Sequence, residues 1–459
     1  MKKLKKNDIL TLEISDITNL GFGVARSLGE VIFVSDTVPG DRVLAKIIKT
    51  APSYAVARVE DYLSLSEART EGRCSEGACR ACAYKLLGYG EECRIKEESV
   101  RAVFKKAGLS HIEVAKITPS PRTAEYRNKA QYPISKDKSG EYVIGFFAPK
   151  SHRVSEAANC AIAPREFSEI LESLRSYFKK EGLSVYDETT GEGLLRHVYL
   201  RRGEVTGEIL VTVVTNGESL PNTNHLIQAL TQKHPKIVGI LINVNKSNTN
   251  VILGDRYMTL FGRDYIFDTL AGVRLKITAP SFYQVNREAA ELLYAKAREL
   301  ASPKKSDTIL DLYCGAGSIG LSMARECGEV IGIEIVESAV ECARFNAREN
   351  GIENASFYTG DAAKTERLLM PAEAERGEKI KPDTVILDPP RAGSDEKLLC
   401  HIAKGLCPKK IVYISCNPAT LARDLAILEP LGYTAGRVFP FDLFPAAGHV
   451  ESVVCLTRK

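Results

Sequence analysis

The chain has 459 residues, of which 44% are hydrophobic and 26% are charged, and its formal net charge is +4. This length is too great for one hydrophobic core and predicts about three domains of ordinary globular composition. The charge is too small to establish a nucleic-acid partner, and because no apolar stretch approaches roughly 20 residues, we expect no membrane-spanning segment.

The N-terminal region, residues 1–61, has the pattern of a small β-barrel. Residues 1–6 are rich in lysine but are not followed by the apolar segment of a signal peptide, so we expect a cytoplasmic protein. Strand patterns at residues 9–14 and 31–34 are separated by turn signals such as Pro39-Gly40-Asp41. Several strands in so few residues are typical of an OB-type barrel, and such barrels often bind RNA.

Residues 62–270 are predicted to form an α+β central domain. A charged helix is predicted over residues 91–107, and strand patterns occur at residues 142–147, 209–214 and 237–242. Near its start, Cys74, Cys79 and Cys82 form a C-x4-C-x2-C motif, and Cys160 follows further along the chain. In a reducing compartment, such a group indicates metal binding more often than disulfide bonding. Four thiolates suit either a zinc ion or a [4Fe-4S] cluster, and the spacing does not choose between them.

Residues 271–459 alternate strand and helix patterns, which predicts a parallel α/β sheet of the Rossmann type. A strand at residues 307–312 leads into a glycine-rich turn, which lets a ligand approach the backbone closely. Three later strands end in acidic residues at the sheet edge where cofactors bind, and these are Glu334, Asp361 and Asp388. The series favours S-adenosylmethionine over a generic nucleotide, since Glu334 has the spacing of a ribose ligand and Asp361 can meet the adenine amino group. Residues 371–381 are predicted as an exposed loop.

The residues that end two neighbouring strands suggest the chemistry. Asp388-Pro389-Pro390 also resembles motifs of amino methyltransferases, but Cys416 ends the next strand and should lie beside Asp388. C5 of uracil is too weak a nucleophile to accept a methyl group unaided, whereas a thiolate added at C6 makes C5 enolate-like. A cysteine is already a few per cent thiolate at neutral pH and a site can raise that fraction, and Glu451 is the candidate base for the C5 proton. Taken alone, Cys416 also fits a buried structural cysteine and Glu451 a salt-bridged surface acid.

The chain resembles the RNA uracil-5 methyltransferases that use S-adenosylmethionine. The resemblance covers nearly the whole chain and is carried by residues 311–317, 388–391, 415–418 and 449–451. It implies Cys416 as the nucleophile and Glu451 as the base. It also draws attention to the segment Ser281-Phe282-Tyr283-Gln284-Val285-Asn286, in which Phe282 would pack beside the target base and Gln284 would touch both cofactor and uracil.

The same resemblance implies further ligands and partners. The barrel is similar to a TRAM domain, and the four cysteines correspond to the [4Fe-4S] ligands of ribosomal members. Asp388 would contact the uracil as well as the cofactor. The positions that would contact S-adenosylmethionine are Gln284, Tyr313, Ser318, Glu334, Asp361 and Asp388.

Four functions are consistent with these motifs. A monomeric methyltransferase acting on a uridine of 23S rRNA is favoured, because tRNA-specific members generally lack the barrel and the four cysteines. The same reaction on the T-loop of tRNA is the first alternative. A cytosine-5 methyltransferase is disfavoured because such enzymes carry their cysteines in other motifs, and an inactive RNA-binding factor is disfavoured because every catalytic position is occupied.

Overall fold

The computed structural model describes residues 4–72, 74, 79, 81–148, 151–157 and 160–459. Residues 1–3 of the lysine-rich segment therefore lie outside the described residues. Within the described ranges, no helix is both long enough and apolar enough to cross a membrane.

The N-terminal strands form a barrel-like sheet in the order β1-β5-β6-β4-β3-β2. Alternate residues of β5 point inward, and Val43, Ala45 and Ile47 are fully buried in a small core. The strand predictions at residues 9–14 and 31–34 are confirmed. The strands are β1 (Ile9–Glu13), β2 (Asp16–Ile17), β3 (Gly23–Ser27), β4 (Glu30–Val34), β5 (Arg42–Thr50) and β6 (Tyr54–Ser64).

The central region is built on a second sheet, in the order β13-β12-β11-β10-β7-β8-β9. Two helices cover one of its faces and form a core with it, to which Phe167, Leu174 and Phe178 contribute. The predicted strands at 142–147, 209–214 and 237–242 are confirmed as β8, β11 and β12. The elements are α1 (Tyr89–Lys106), β7 (Lys129–Lys136), β8 (Tyr142–Phe147), β9 (Val154–Glu156), α2 (Arg165–Lys180), β10 (Leu195–Arg202), β11 (Ile209–Thr215), α3 (Thr223–Lys233), β12 (Ile237–Val244) and β13 (Arg256–Gly262).

A hairpin and a mixed sheet follow, and the predicted parallel order holds for β16–β20 but not for β21, β22 and β23, whose pairings are antiparallel. The sheet order is β18-β17-β16-β19-β20-β23-β21, with β22 paired to β23. Its elements are β14 (Tyr265–Leu270), β15 (Val273–Thr278), α4 (Arg287–Ala301), β16 (Thr308–Leu312), α5 (Ser318–Met323), β17 (Glu329–Glu334), α6 (Glu337–Glu349), β18 (Ala355–Thr359), α7 (Thr365–Arg376), β19 (Thr384–Leu387), α8 (Glu396–His401), β20 (Lys410–Ser415), α9 (Pro418–Leu428), β21 (Tyr433–Ala435), β22 (Phe439–Phe441) and β23 (Glu451–Arg458).

The strand order of this sheet locates the ligand crevice. Strand order reverses at β16, which lies between β17 and β19, and both of these pairings are parallel. Open α/β sheets bind ligands at the carboxyl ends of the strands beside such a switch point. The glycine-rich turn after β16 and Asp388 after β19 both lie there, which confirms the predicted Rossmann-type architecture.

Two expectations about elements need adjustment. The predicted loop at 371–381 is wrong in its first half, because α7 continues through Pro371 to Arg376. Leu369 and Ala372 of this helix are buried in the methyltransferase core, and this packing favours the helix despite the proline. In addition, Val100 and Phe104 of α1 are buried in that same core, so α1 packs with the C-terminal sheet rather than with the central one.

Candidate active site

The sheet register brings Cys416, Glu451 and Asp388 to one edge. β19 and β20 are parallel neighbours with Leu387 opposite Tyr413, and β23 is antiparallel to β20 with Ser415 opposite Ser452. Cys416 is the residue directly after β20, and Glu451 is the first residue of β23. Asp388 follows β19 at the same carboxyl edge. These three side chains are therefore assembled as the sequence predicted.

Burial controls the protonation of this group. Glu451 is only 5% exposed, and burial raises its pKa to about 8, with the charge of Asp388 acting in the same direction. Burial alone raises the pKa of Asp388 to about 7. Both carboxyls are therefore far better proton acceptors near neutral pH than exposed acids, which suits general-base work.

The pKa of the Cys416 thiol is raised, which is the opposite of what a reactive thiolate needs. Burial, and then the charges of Glu451 and Asp388, raise its pKa to about 11. The resting site thus lowers the thiolate fraction instead of raising it, because a second negative charge beside two buried carboxyls is unfavourable. Deprotonation of Cys416 consequently requires a neighbouring acceptor, and both nearby carboxyls have raised pKa values.

Arg391 is a feature of the site to which the sequence assigned no role. Its charge opposes the other influences by lowering the pKa of both Cys416 and Glu451. Its Nη2 lies 3.3 Å from Nε2 of His449, and its carbonyl accepts a hydrogen bond of 3.2 Å from the Asn417 side chain. The hydrogen bond from Asn417 to Arg391 therefore connects the turn after β19 with the turn that carries Cys416.

Phe282 is displayed by a rigid loop. The ring is 68% exposed, which is unusual for a large apolar side chain. The backbone around it is fixed, since the Asn128 amide donates to the Gln284 carbonyl at 2.8 Å and the Arg201 guanidinium donates to the carbonyls of Ala279 and Ser281. An exposed aromatic ring on a fixed loop offers a stacking surface to a base.

A narrow cavity joins this loop to the glycine-rich turn. Phe282, Gln284, Tyr313, Ser318 and Asp388 all line it, so five of the predicted contact residues are brought together. A Cβ atom added to Gly315 in this turn, where φ is +53°, would meet nothing within 4 Å. Open space beside a turn backbone is the feature that lets a ligand approach it.

Glu334 and Asp361 lie outside the lining of that cavity. Glu334 accepts hydrogen bonds from the backbone N–H of Gly315 at 3.1 Å and of Val336 at 2.9 Å. Asp361 accepts one from the Ala363 N–H at 3.0 Å and so caps a short helical turn. Both carboxylates follow strand ends next to the crevice, as predicted.

Two buried groups in the crevice escaped the sequence interpretation. The Tyr294 hydroxyl lies 2.9 Å from Oγ of Ser318, and burial raises its pKa. Asp311 is fully buried, accepts a hydrogen bond from the Gly320 N–H at 2.9 Å, and has a pKa that burial raises to about 7. Asp311 begins the segment 311–317, which carries part of the family resemblance. Tyr294 lies in the middle of α4, where the sequence pattern indicates only a buried core position.

The four predicted cysteine ligands line a second cavity, of about 250 Å³. Burial and the charges of the other three cysteines raise the pKa of Cys82 to about 12. Arg127, Lys85 and Ala446 also line the cavity. In the part of the chain that the structure describes, no three His, Cys, Asp or Glu side chains are grouped so as to hold a metal ion. The thiols thus share one cavity without forming a closed single-ion site.

Comparisons with known proteins agree with this architecture. A family model described as tRNA (Uracil-5-)-methyltransferase matches residues 88–459, and a TRAM domain model matches residues 3–59. Uncharacterized RNA methyltransferases of Halalkalibacterium halodurans and Bacillus cereus are each 38% identical over 99% of this chain and 98% of their own length.

A solved structure of a uracil-5 methyltransferase is also similar to this chain over nearly its full length. The tRNA (uracil-54, C5)-methyltransferase of Pyrococcus abyssi, in complex with S-adenosyl-L-homocysteine, is 28% identical with a TM-score of 0.78. The match covers 97% of this chain and 99% of that one. The chain belongs to the tRNA (uracil-5-)-methyltransferase family, with an N-terminal TRAM domain and an S-adenosylmethionine-binding fold, and is an RNA uracil-5 methyltransferase.

Proposed function

We propose that this enzyme methylates C5 of a uridine in 23S rRNA through a covalent bond between Cys416 Sγ and C6, with Glu451 as the base. The observation that carries the proposal is the assembly of one thiol and two buried carboxyls at a single sheet edge. Phe282 and Gln284 lie at the same crevice and supply contacts for the target base.

The residues of this chain account for each proton and bond. The Cys416 proton passes to the Asp388 carboxylate as Sγ bonds to C6, which leaves the electron pair on C5 and Glu451 free to accept a later proton. S-adenosylmethionine, when bound, would supply the electrophilic methyl group that C5 takes up and would leave as S-adenosylhomocysteine. Glu451 then removes the C5 proton, the C5–C6 double bond re-forms, and the Sγ–C6 bond breaks.

The cofactor is assigned to residues around the switch point. Ser318 and Tyr313 border the narrow cavity, and the free space beside Gly315 admits a ligand to the turn. Glu334 and Asp361 are assigned to the ribose and adenine ends, and Gln284 and Asp388 to the end nearest the uracil.

We assign a [4Fe-4S] cluster to Cys74, Cys79, Cys82 and Cys160. The four thiols line one cavity of about 250 Å³, and the resemblance to ribosomal members of the family favours a [4Fe-4S] cluster there over a zinc ion. Its role is structural or in RNA positioning, because Cys416 already supplies the chemistry.

A tRNA substrate is the second candidate. It is favoured by the similarity to the Pyrococcus abyssi enzyme, which is a tRNA (uracil-54, C5)-methyltransferase. A match over 97% of this chain must include most of the barrel, so the barrel alone does not separate the two substrates. The four cysteines, and extra phosphate contacts that a large flexible RNA can use, support the rRNA assignment.

Purified enzyme, 23S rRNA and a tRNA transcript decide between these substrates. Each RNA is offered at equal concentration with labelled cofactor, and 5-methyluridine is mapped by mass spectrometry. We expect the rRNA to gain one or more 5-methyluridines and the tRNA to react more slowly. Faster methylation of the tRNA with unmodified rRNA would replace the rRNA assignment with the tRNA one.

A further inference from the structure

Three cationic side chains of the central region are grouped between the cysteine cavity and the loop of residues 281–286, which displays Phe282. Arg127 precedes β7, Lys129 is the first residue of β7, and Arg201 lies directly opposite Lys129 on β10. Arg127 and Lys129 are half-buried, and Arg201 is only 2% exposed. Cations that are close together and partly removed from water are unfavourable unless each has a negative or dipolar partner.

Two of the three cations have such partners. The Arg201 guanidinium donates to the carbonyls of Ala279 and Ser281 and so fixes the loop. Arg127 lines the cavity of the four predicted cysteine ligands. Burial raises the pKa of Cys82 there, and the charge of Arg127 acts in the opposite direction. Arg127 is therefore placed to offset the negative charge of thiolates.

Lys129 has no corresponding partner. Among the described residues, its amino group makes no hydrogen bond and no ion pair, and its Nζ is not enclosed by the protein. Burial, and then the charges of Arg201 and Arg127, lower its pKa to about 8, and no carboxylate acts in the opposite direction. The amino group is thus a cation that lacks a counter-ion and that a ligand can reach.

The Lys129 side chain projects toward the active-site side of the central sheet. Residues that lie opposite each other in an antiparallel pair project from the same face, so Lys129 shares a face with Arg201. From that face Arg201 reaches the carbonyls that precede Phe282. Ala130 and Tyr132 alternate with Lys129 along the strand and belong instead to the core beneath α2 and α3.

The backbone next to Lys129 is bonded to the same loop. The N–H of Asn128 donates to the Val285 carbonyl at 2.9 Å, and the Asn128 side-chain amide donates to the Gln284 carbonyl at 2.8 Å. Lys129 follows directly along the chain. Its cation is therefore held in a fixed relation to the exposed ring of Phe282.

Two anions of the reaction are chemically suited to Lys129. One is a phosphate of the RNA backbone, and the other is the methionyl carboxylate of S-adenosylmethionine. Lys129 lies outside the lining of the narrow cavity that is assigned to the cofactor, which favours the phosphate. Lysine binds phosphate as a point charge, and an RNA strand carries a phosphate beside every base.

We propose that Lys129 binds a backbone phosphate next to the target uridine and thereby positions that base beside Phe282. A phosphate contact fixes the register of the RNA and carries no sequence information, so the effect of Lys129 is independent of base identity. The inference rests on the proposed function in one respect, namely that the target uridine lies beside Phe282.

The test is the salt dependence of binding of a fluorescein-labelled oligouridine of about 12 nucleotides, a length within the range of single-strand binding sites. Each phosphate contact adds about 0.7 to the slope of log affinity against log salt concentration. We expect Lys129→Gln to lower the slope by about 0.7, which weakens binding about eightfold at roughly 50 mM salt and about threefold at roughly 200 mM.

The controls isolate the charge at this position. Lys129→Arg should keep the wild-type slope, and an oligoadenosine of the same length should show the same loss with Lys129→Gln. Lys138→Gln removes the same charge from an exposed lysine in the turn after β7 and should leave the slope unchanged. An unchanged slope in Lys129→Gln, or a loss confined to oligouridine, would overturn the proposal.

Two further measurements distinguish this role from a structural one and from cofactor binding. Lys129→Gln breaks no hydrogen bond among the described residues and removes a repelled cation, so thermal stability should be equal or higher. Affinity for S-adenosylhomocysteine should be unchanged. A marked loss of either would overturn the proposal. Binding is measured without methyl transfer, so a failure of the proposed uridine chemistry is recognised separately, as absence of 5-methyluridine.

Discussion

At the scale of single residues, the raised pKa of Glu451 connects the role proposed for it as a base to the stability of the fold. The value is about 4.5 for an ordinary glutamate and about 8 in the folded protein. Between these two pH values, Glu451 keeps its proton in the folded state but has lost it in the unfolded state. Stability is fully present below the lower value and declines as pH rises through the higher one.

Glu451→Gln should consequently stabilise the protein at alkaline pH. We expect the variant to match wild type near pH 4.5 and to exceed it by about 5 kcal/mol above pH 8, because the amide has no proton to lose. Denaturant unfolding across this range measures the difference. Glu299→Gln changes an exposed glutamate and should leave the profile unchanged. A constant offset for Glu451→Gln at all pH values would contradict a buried titrating group.

The sequence predicted which residues meet at the sheet edge but not their surroundings. Cys416, Glu451 and Asp388 end adjacent strands, and strand order alone brings such positions together. Phe282 and Gln284 lie in a loop without periodicity, so only the family resemblance identified them. Arg391 and Tyr294 act through tertiary contacts, and Lys129 is an ordinary strand residue until its missing counter-ion is seen.

At the scale of elements, the segment that leads into β23 is held by a buried ion group. Lys96 on α1 donates to Glu92 and to Asp442, both at 2.7 Å, and all three side chains are at most 1% exposed. Lys96 also donates to the Phe444 carbonyl at 3.0 Å, and Glu92 accepts the Ala446 N–H at 2.6 Å. This group fixes the path of the chain just before Glu451.

Lys96→Met should therefore destabilise the protein strongly. Loss of the cation leaves two carboxylates buried together, and breaking such a group costs about 3–5 kcal/mol. Lys105→Met, on the exposed end of the same helix, is the control. Thermal unfolding measures the effect, and methylation should fall further than cofactor affinity because Glu451 shifts. Equal unfolding temperatures for the two variants would refute this role.

Element prediction failed where tertiary packing overrides local signals. The residues after Pro371 have the composition of a loop, but Leu369 and Ala372 contact the core, and α7 continues to Arg376. Likewise, α1 was correctly predicted as a helix, but its sequence does not indicate that Val100 and Phe104 pack against the methyltransferase sheet.

At the scale of the whole molecule, three regions meet at the segment that precedes β23. Ala446 lines the cysteine cavity, and its carbonyl accepts the Tyr84 N–H at 2.8 Å. A side chain on Gly448 would overlap the Asn19 carbonyl of the barrel. The barrel, the cysteine cavity and α1 thus all contact the segment that precedes Glu451.

The cysteine assignment is tested on protein purified without oxygen. We expect brown protein with about four irons per chain, and Cys79→Ser should lose both the colour and part of the thermal stability. Cys93→Ser changes a nearby half-buried cysteine outside the proposed ligand set and should keep the iron. Stoichiometric zinc without iron would refute the cluster.

The central claim is that Cys416 forms a covalent bond to the target uracil. Substrate RNA containing 5-fluorouridine tests it most directly, because fluorine cannot leave C5 as a proton and the adduct cannot be released. We predict a denaturation-stable RNA–protein adduct in which mass spectrometry locates the nucleotide on Cys416, and no adduct with Cys416→Ala, although that variant still binds S-adenosylmethionine. Normal turnover by Cys416→Ala, or an adduct on another residue, would contradict the account.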